Sequence, residues 1–166
     1  MDLLLWRPAE SGEGVGEAMR PLTERGEKHA LKVAHWLSSQ GPEIGRVVVA
    51  PTVAAGQTAD CLGLDYEVSV GLSLGGCVSE LIGATGWPGA AGNVLLVAHQ
   101  PAVGRLAALL LSGQEADWTI KKGALWWFSN RVRRGETQTV LRAAITPDLL
   151  HHHPESHKRH PIRIAA

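Results

Sequence analysis

Asn93-Val94-Leu95-Leu96-Val97-Ala98-His99-Gln100-Pro101-Ala102-Val103-Gly104 is the stretch on which the fold turns. Residues 93–98 read as a strand whose continuous apolar run, Val94 to Ala98, is the pattern of a strand covered on both faces. Beyond Pro101 the period changes, and residues 103–111 set Leu106, Leu109 and Leu110 on one side of a helix. A buried strand that passes through a His-Gln-Pro turn into a helix is half of a βαβ unit.

The same alternation recurs on either side. Residues 2–6 open the chain as a short apolar strand. Ala30, Val33, Ala34 and Leu37 are spaced i, i+3, i+4, i+7 on one helix face, and Gly41-Pro42 stops that helix. Residues 46–50 carry the β-branched triplet Val47-Val48-Val49 and end at Pro51. Residues 54–62 read as a helix, 66–70 as a third strand, and 75–83 as a short helix before the turn-rich Gly86-Trp87-Pro88-Gly89. Residues 124–130 and 137–144 read as two strands joined at Arg133-Arg134-Gly135-Glu136 into a hairpin. The expected architecture is one α/β domain over residues 1–150. It has a mostly parallel sheet with helices on both faces and a C-terminal antiparallel hairpin. A His-rich tail follows over 151–166, holding five of the eight histidines and expected to be flexible and solvated. The clustered imidazoles leave weak Zn or Ni affinity open, beside the plainer reading of a solvated tail.

In such sheets a ligand binds outside the carboxyl ends of the strands. That rule selects three loops: Arg7-Pro8-Ala9-Glu10, Ala50-Pro51-Thr52 and His99-Gln100-Pro101.

Composition narrows the function classes. With 166 residues, 45% hydrophobic and 19% charged, the chain is an ordinary globular domain. Sixteen basic residues balance sixteen acidic ones, which argues against a non-specific nucleic-acid binder. No apolar run reaches the length of about 18 residues that a membrane span needs. Leu3-Leu4-Leu5 is too short for a signal-peptide core, so Cys61 and Cys77 are expected as reduced, buried thiols in a cytoplasm.

Four segments carry a family likeness: a first strand ending in Arg7; Arg20-Pro21-Leu22-Thr23 with Gly26; Pro51 through Gln57-Thr58-Ala59; and Val97-Ala98-His99-Gln100-Pro101 with Gly104. Taken in this order over residues 2–150, the chain resembles the histidine phosphatase superfamily, and within it the small phosphohistidine phosphatases of the SixA type. The resemblance implies a phosphoglycerate mutase-like fold and a phosphoryl-transfer site without metal or cofactor. In the family the first strand ends in Arg-His-Gly or Arg-His-Ala. The histidine takes the phosphoryl group, while two arginines and a second histidine surround it. Catalysis of this kind is positioning plus cationic stabilisation of charged oxygens, and the planar arginine fork suits it.

Against that pattern the decisive positions differ. The nucleophile falls on Pro8, which has no side-chain nitrogen. The serine of the pattern Ser-Pro-x-x-Arg-x-x-Gln-Thr falls on Ala50 and its arginine on Ala54. Arg7 and His99 remain as expected phosphate contacts. A pseudo-enzyme and a set of designed replacements would both show this distribution. The expected function is a phosphohistidine phosphatase-like protein, inactive or strongly impaired, that retains some affinity for inorganic phosphate or phosphohistidine. The alternatives are a regulatory module that binds a phosphohistidine-containing protein, and an active phosphatase using a non-standard residue such as His99.

The other candidates have plainer readings. Glu10 and Glu13 are expected as solvated loop charges, Arg20 as a loop pin paired with a carboxylate, and Gln57 and Thr58 as residues that orient the helix after Pro51. Lys121-Lys122 is expected as a solvated turn. In Trp126-Trp127-Phe128, successive side chains on alternate sheet faces leave at least one ring exposed or interfacial. Burial under the helices and a partner surface are both open for these rings.

Overall fold

The computed structural model describes residues 1–14 and 16–151. The tail expected from His151 onward lies outside the described residues except for His151 itself.

Six strands form one sheet in the order β3-β2-β4-β1-β5-β6. They are β1 (Asp2–Trp6), β2 (Arg46–Val49), β3 (Glu67–Val68), β4 (Val94–Val97), β5 (Leu125–Arg133) and β6 (Glu136–Ile145). β1 to β4 run parallel to one another, and β5 and β6 add an antiparallel hairpin, with β5 pairing antiparallel to β1. β1 and β4 lie at the centre with Leu3 beside Val94 and Trp6 beside Val97. Every residue of β4 is buried, as are Leu3 to Trp6, so neither strand shows the alternation of a half-wet strand.

The helices are α1 (Glu24–Gln40), α2 (Val53–Asp60), α3 (Val78–Thr85) and α4 (Ala102–Ser112). The aromatic side chains of β5 show that both faces of the sheet are covered. Trp127 meets Trp36 of α1 edge-on at 6.3 Å, while Trp126 lies 6.5 Å from Trp118, in the segment after α4. Phe128 is fully buried, and Trp126 and Trp127 are half-buried. The rings therefore cover one another across two faces.

Where the sequence expectation differs, local chemistry is the reason. α3 starts at Val78 rather than near residue 75. Gly75 and its neighbours form a turn, and Cys77 caps the helix with its N–H donated to Glu80 Oε2 at 3.3 Å. Gly86, in the left-handed region, ends the helix. β3 is cut to two residues because Val70–Leu72 winds into a 3-10 turn. The hairpin strands run right up to a two-residue turn. Arg134 and Gly135 both have positive φ there, the conformation that matches the twist of the flanking strands.

Two glycines hold helices close to the loops of the site. A Cβ on Gly26 of α1 would lie 2.1 Å from the carbonyl oxygen of Glu10, and one on Gly104 of α4 would lie 1.7 Å from that of Trp118. Only glycine permits these approaches.

Candidate phosphoryl-anion site

The three central strands finish together, and backbone hydrogen bonds tie their ends. Ala98 N–H donates to Trp6 O at 3.2 Å, and Ala50 N–H donates to Val97 O at 2.9 Å. The loops after β1, β2 and β4 thus leave the sheet side by side. Further bonds close the group: Ala9 N–H donates to Thr58 Oγ1 at 3.2 Å, and that hydroxyl donates to Ala54 O at 2.8 Å. Arg7, Pro8, Ala50, Ala54 and His99 therefore converge at one end of the sheet.

Arg7 is half-buried just beyond β1. One guanidinium N–H is spent on Ile120 O at 2.8 Å. A guanidinium has five N–H donors, so the rest of the fork is available to an anion. Burial draws its pKa below the ordinary value. His99 stands just beyond β4, with its Nε2 2.7 Å from Thr52 Oγ1. Thr52 is also the N-cap of α2, accepting Ala55 N–H at 3.2 Å. That leaves its hydroxyl proton free for the imidazole. Burial lowers the pKa of His99 first, and the charge of Arg7 lowers it further; Glu17 acts in the opposite sense. Arg7 and His99 are thus electrostatic neighbours, and at neutral pH the imidazole is uncharged.

Pro8 is buried, and its carbonyl accepts Gly123 N–H at 3.1 Å. Ala50 is 1% exposed and Ala54 5%. Ala50 and Ala54 thus belong to the apolar core, and Pro8 presents a small buried ring beside Arg7.

Several expected roles change. Glu10 is not a free loop charge, because its carboxylate accepts the Thr23 hydroxyl at 3.0 Å and so holds the first turn of α1. Arg20 is exposed and makes no ion pair among the described residues. Its segment is pinned instead by Gly12 N–H to Pro21 O and by Leu22 N–H to Gln57 Oε1 at 2.7 Å. Glu13 is exposed, as is Lys122, while Lys121 pairs with Asp148 at 3.2 Å. Cys77 is exposed rather than buried; a hydrogen bond with Ser79 is the main influence lowering its pKa. Cys61 is half-buried and desolvation pushes its thiol up to about 11. Glu17 and the carbonyl of Ile120 were not expected at the site. Thr52 lay in one of the three selected loops, and its place between Pro51 and a helical run is a cap pattern, but its bond to His99 was not foreseen.

Among the described residues no group of three His, Cys, Asp or Glu side chains is placed to hold a metal ion. No described helix is long and apolar enough to cross a membrane.

No protein-family model matches the chain. It is 34% identical over 124 residues to the phosphohistidine phosphatase SixA of Escherichia coli strain K12, a match covering 69% of this chain and 76% of the relative. The chain belongs to the SixA family of phosphohistidine phosphatases. A structure of protein histidine phosphatase SixA complexed with tungstate superposes with a TM-score of 0.71 at 28% identity, covering 89% of this chain and 98% of that one. The fold extends to more distant structures. Mycobacterial glucosyl-3-phosphoglycerate phosphatase matches at a TM-score of 0.60 and 20% identity, over 86% of this chain and 97% of its own. The mixed six-stranded sheet is thus the SixA fold, with its parallel strand ends gathered around Arg7 and His99.

Proposed function

We propose that this SixA-family protein holds a phosphoryl anion, free or on a histidine side chain, between Arg7 and His99, and forms no phosphohistidine of its own on the first strand. The observation that carries the reading is Pro8. It is buried at the end of β1 next to Arg7, and proline offers phosphorus no nucleophilic nitrogen. Two further losses support it. With Ala54 in place of an arginine, the pocket lacks one charged partner worth about 1.5–3 kcal/mol. With Ala50 in place of a serine, it lacks a hydroxyl. The unspent Arg7 donors and the neutral His99 support retained but weak affinity for an anion. On this reading the protein shields a phosphohistidine partner rather than hydrolysing it, and residues 1–150 form the binding unit. Two unpaired cysteines are consistent with a cytoplasmic setting.

The test is turnover of an aryl phosphate and of a phosphohistidine peptide. The unaltered chain is expected to show no turnover above an Arg7→Ala control. Pro8→His combined with Ala54→Arg restores a nucleophile and a cation, and is expected to gain activity. Turnover by the unaltered chain that disappears in His99→Ala, with phosphate trapped on His99 in mass spectra, overturns the reading.

A further inference from the structure

α1 carries a second stripe apart from its buried one. Arg25, Lys28, His29 and Lys32 are spaced i, i+3, i+4, i+7, so they share one helix face about 10 Å long. With Thr23 and Glu24 they line a surface groove of about 650 Å³. Glu24 is the only carboxylate in that lining, and it is taken up by Lys28 at 3.4 Å. Arg25 and Lys32 make no ion pair among the described residues. The chain as a whole has zero formal net charge, so the stripe does not follow from a basic composition. His29 registers it: after burial, the charges of Arg25 and Lys32 are what lower its pKa, against opposing pulls from Asp148 and Glu10.

Two sets of contacts lead from the groove lining towards Arg7. Thr23 N–H donates to Glu10 O at 3.0 Å, and Glu10 lies three residues beyond Arg7. Asp148, whose charge reaches His29, pairs with Lys121, the neighbour of the Ile120 carbonyl that anchors Arg7.

We infer that this groove on α1 docks an acidic polypeptide segment of the phosphohistidine-bearing protein, flanking the phosphorylated histidine that enters the Arg7–His99 pocket. The inference rests on the function proposed above. Charge complementarity selects an acidic occupant. The groove is far larger than a phosphate ion, and its basic stripe is as long as about three extended residues. Polypeptide is favoured over nucleic acid because a nucleic-acid surface draws on surplus positive charge, which the balanced chain lacks.

The experiment uses the full chain and two synthetic peptides, each with one non-hydrolysable phosphohistidine analogue. One peptide has four glutamates beside it and the other four glutamines. At low salt the glutamate peptide is expected to bind at least tenfold more tightly. In Arg25→Glu with Lys28→Glu, both exposed positions, that preference is expected to fall below threefold while tungstate affinity is unchanged. Arg25→Gln with Lys28→Gln makes the same comparison if the charge reversals disturb folding, judged by circular dichroism. Equal affinity for the two peptides, a preference that survives the substitutions, or tighter binding of a single-stranded DNA oligomer than of the glutamate peptide overturns the inference. Binding of the unphosphorylated glutamate peptide that depends on Arg25 and Lys28, in a protein that takes up no tungstate, sinks the anion-pocket reading and leaves the basic groove standing.

Discussion

His99 is the residue in which burial, charge and hydrogen bonding meet. It comes from the end of a fully buried strand, so its imidazole enters the site already partly desolvated. Thr52 occupies Nε2 at 2.7 Å, and Arg7 supplies a nearby positive charge that disfavours a second one. A histidine in this setting is neutral when folded and takes up a proton more readily when unfolded. Its folded pKa lies below the ordinary 6.5. Between that folded value and the unfolded value of about 6.5 the unfolded state binds more protons, so stability rises with pH. The stabilising contribution is therefore present above about 6.5 and is lost as pH falls through the folded value. Denaturant titrations from pH 7.5 down to 5.5 are expected to show falling stability, with a shallower fall in His99→Gln. His29 is shifted the same way, first by burial, and leaves a residual slope. An unchanged slope in His99→Gln means that the buried imidazole does not titrate as described.

At the scale of elements, Gly26 and Gly104 set how closely α1 and α4 approach the loops of the site. Gly104→Ala would place a methyl group 1.7 Å from the Trp118 carbonyl, a backbone atom that cannot rotate away. Overpacking of this kind costs about 1–3 kcal/mol or more. It would also move α4, whose first turn follows His99. Gly83, inside α3, offers the contrast. It is exposed and a Cβ there meets nothing within 4 Å, so Gly83→Ala is expected to stabilise by about 0.5–1 kcal/mol. Thermal melts of the two variants are expected to shift in opposite directions. The alternation of strands and helices was legible because the buried runs, Val47–Val49 and Val94–Val97, have no polar face to mimic a loop. The ends of α3 and β3 were not, because a capping box and a 3-10 turn decide them locally. Within the site, Arg7 and His99 could be read from their places just past strands. The Ile120 carbonyl and Glu17 could not, since nothing in their own neighbourhoods signals contacts that arise only when distant segments fold together. Glu10 misled for the same reason: its partner, Thr23, lies across a loop.

For the whole molecule, the proposed anion site is a clamp between parts distant in sequence. Arg7 links β1 to the segment before β5 through Ile120, His99 links the end of β4 to the cap of α2, and Thr58 joins α2 to the loop after β1. An anion held by Arg7 and His99 would bridge these elements only in the folded state, because the unfolded chain does not assemble them. Such a ligand stabilises the fold by RT ln(1 + [L]/Kd), about 2.7 kcal/mol at a hundredfold excess over Kd. For a domain of this size 1 kcal/mol moves the melting midpoint by roughly 2–4 °C, so saturating tungstate is expected to raise it by roughly 5–11 °C. The rise should grow with the logarithm of tungstate concentration once the site is saturated. Arg7→Ala removes the remaining charged donor and is expected to abolish most of the shift. The same substitution also removes the bond to Ile120 O, so its ligand-free melt will start lower; the comparison therefore lies in the increment that tungstate adds to each protein. Equal increments in both proteins would place the anion elsewhere on the surface and leave Arg7 as a structural tether between β1 and the segment leading into β5.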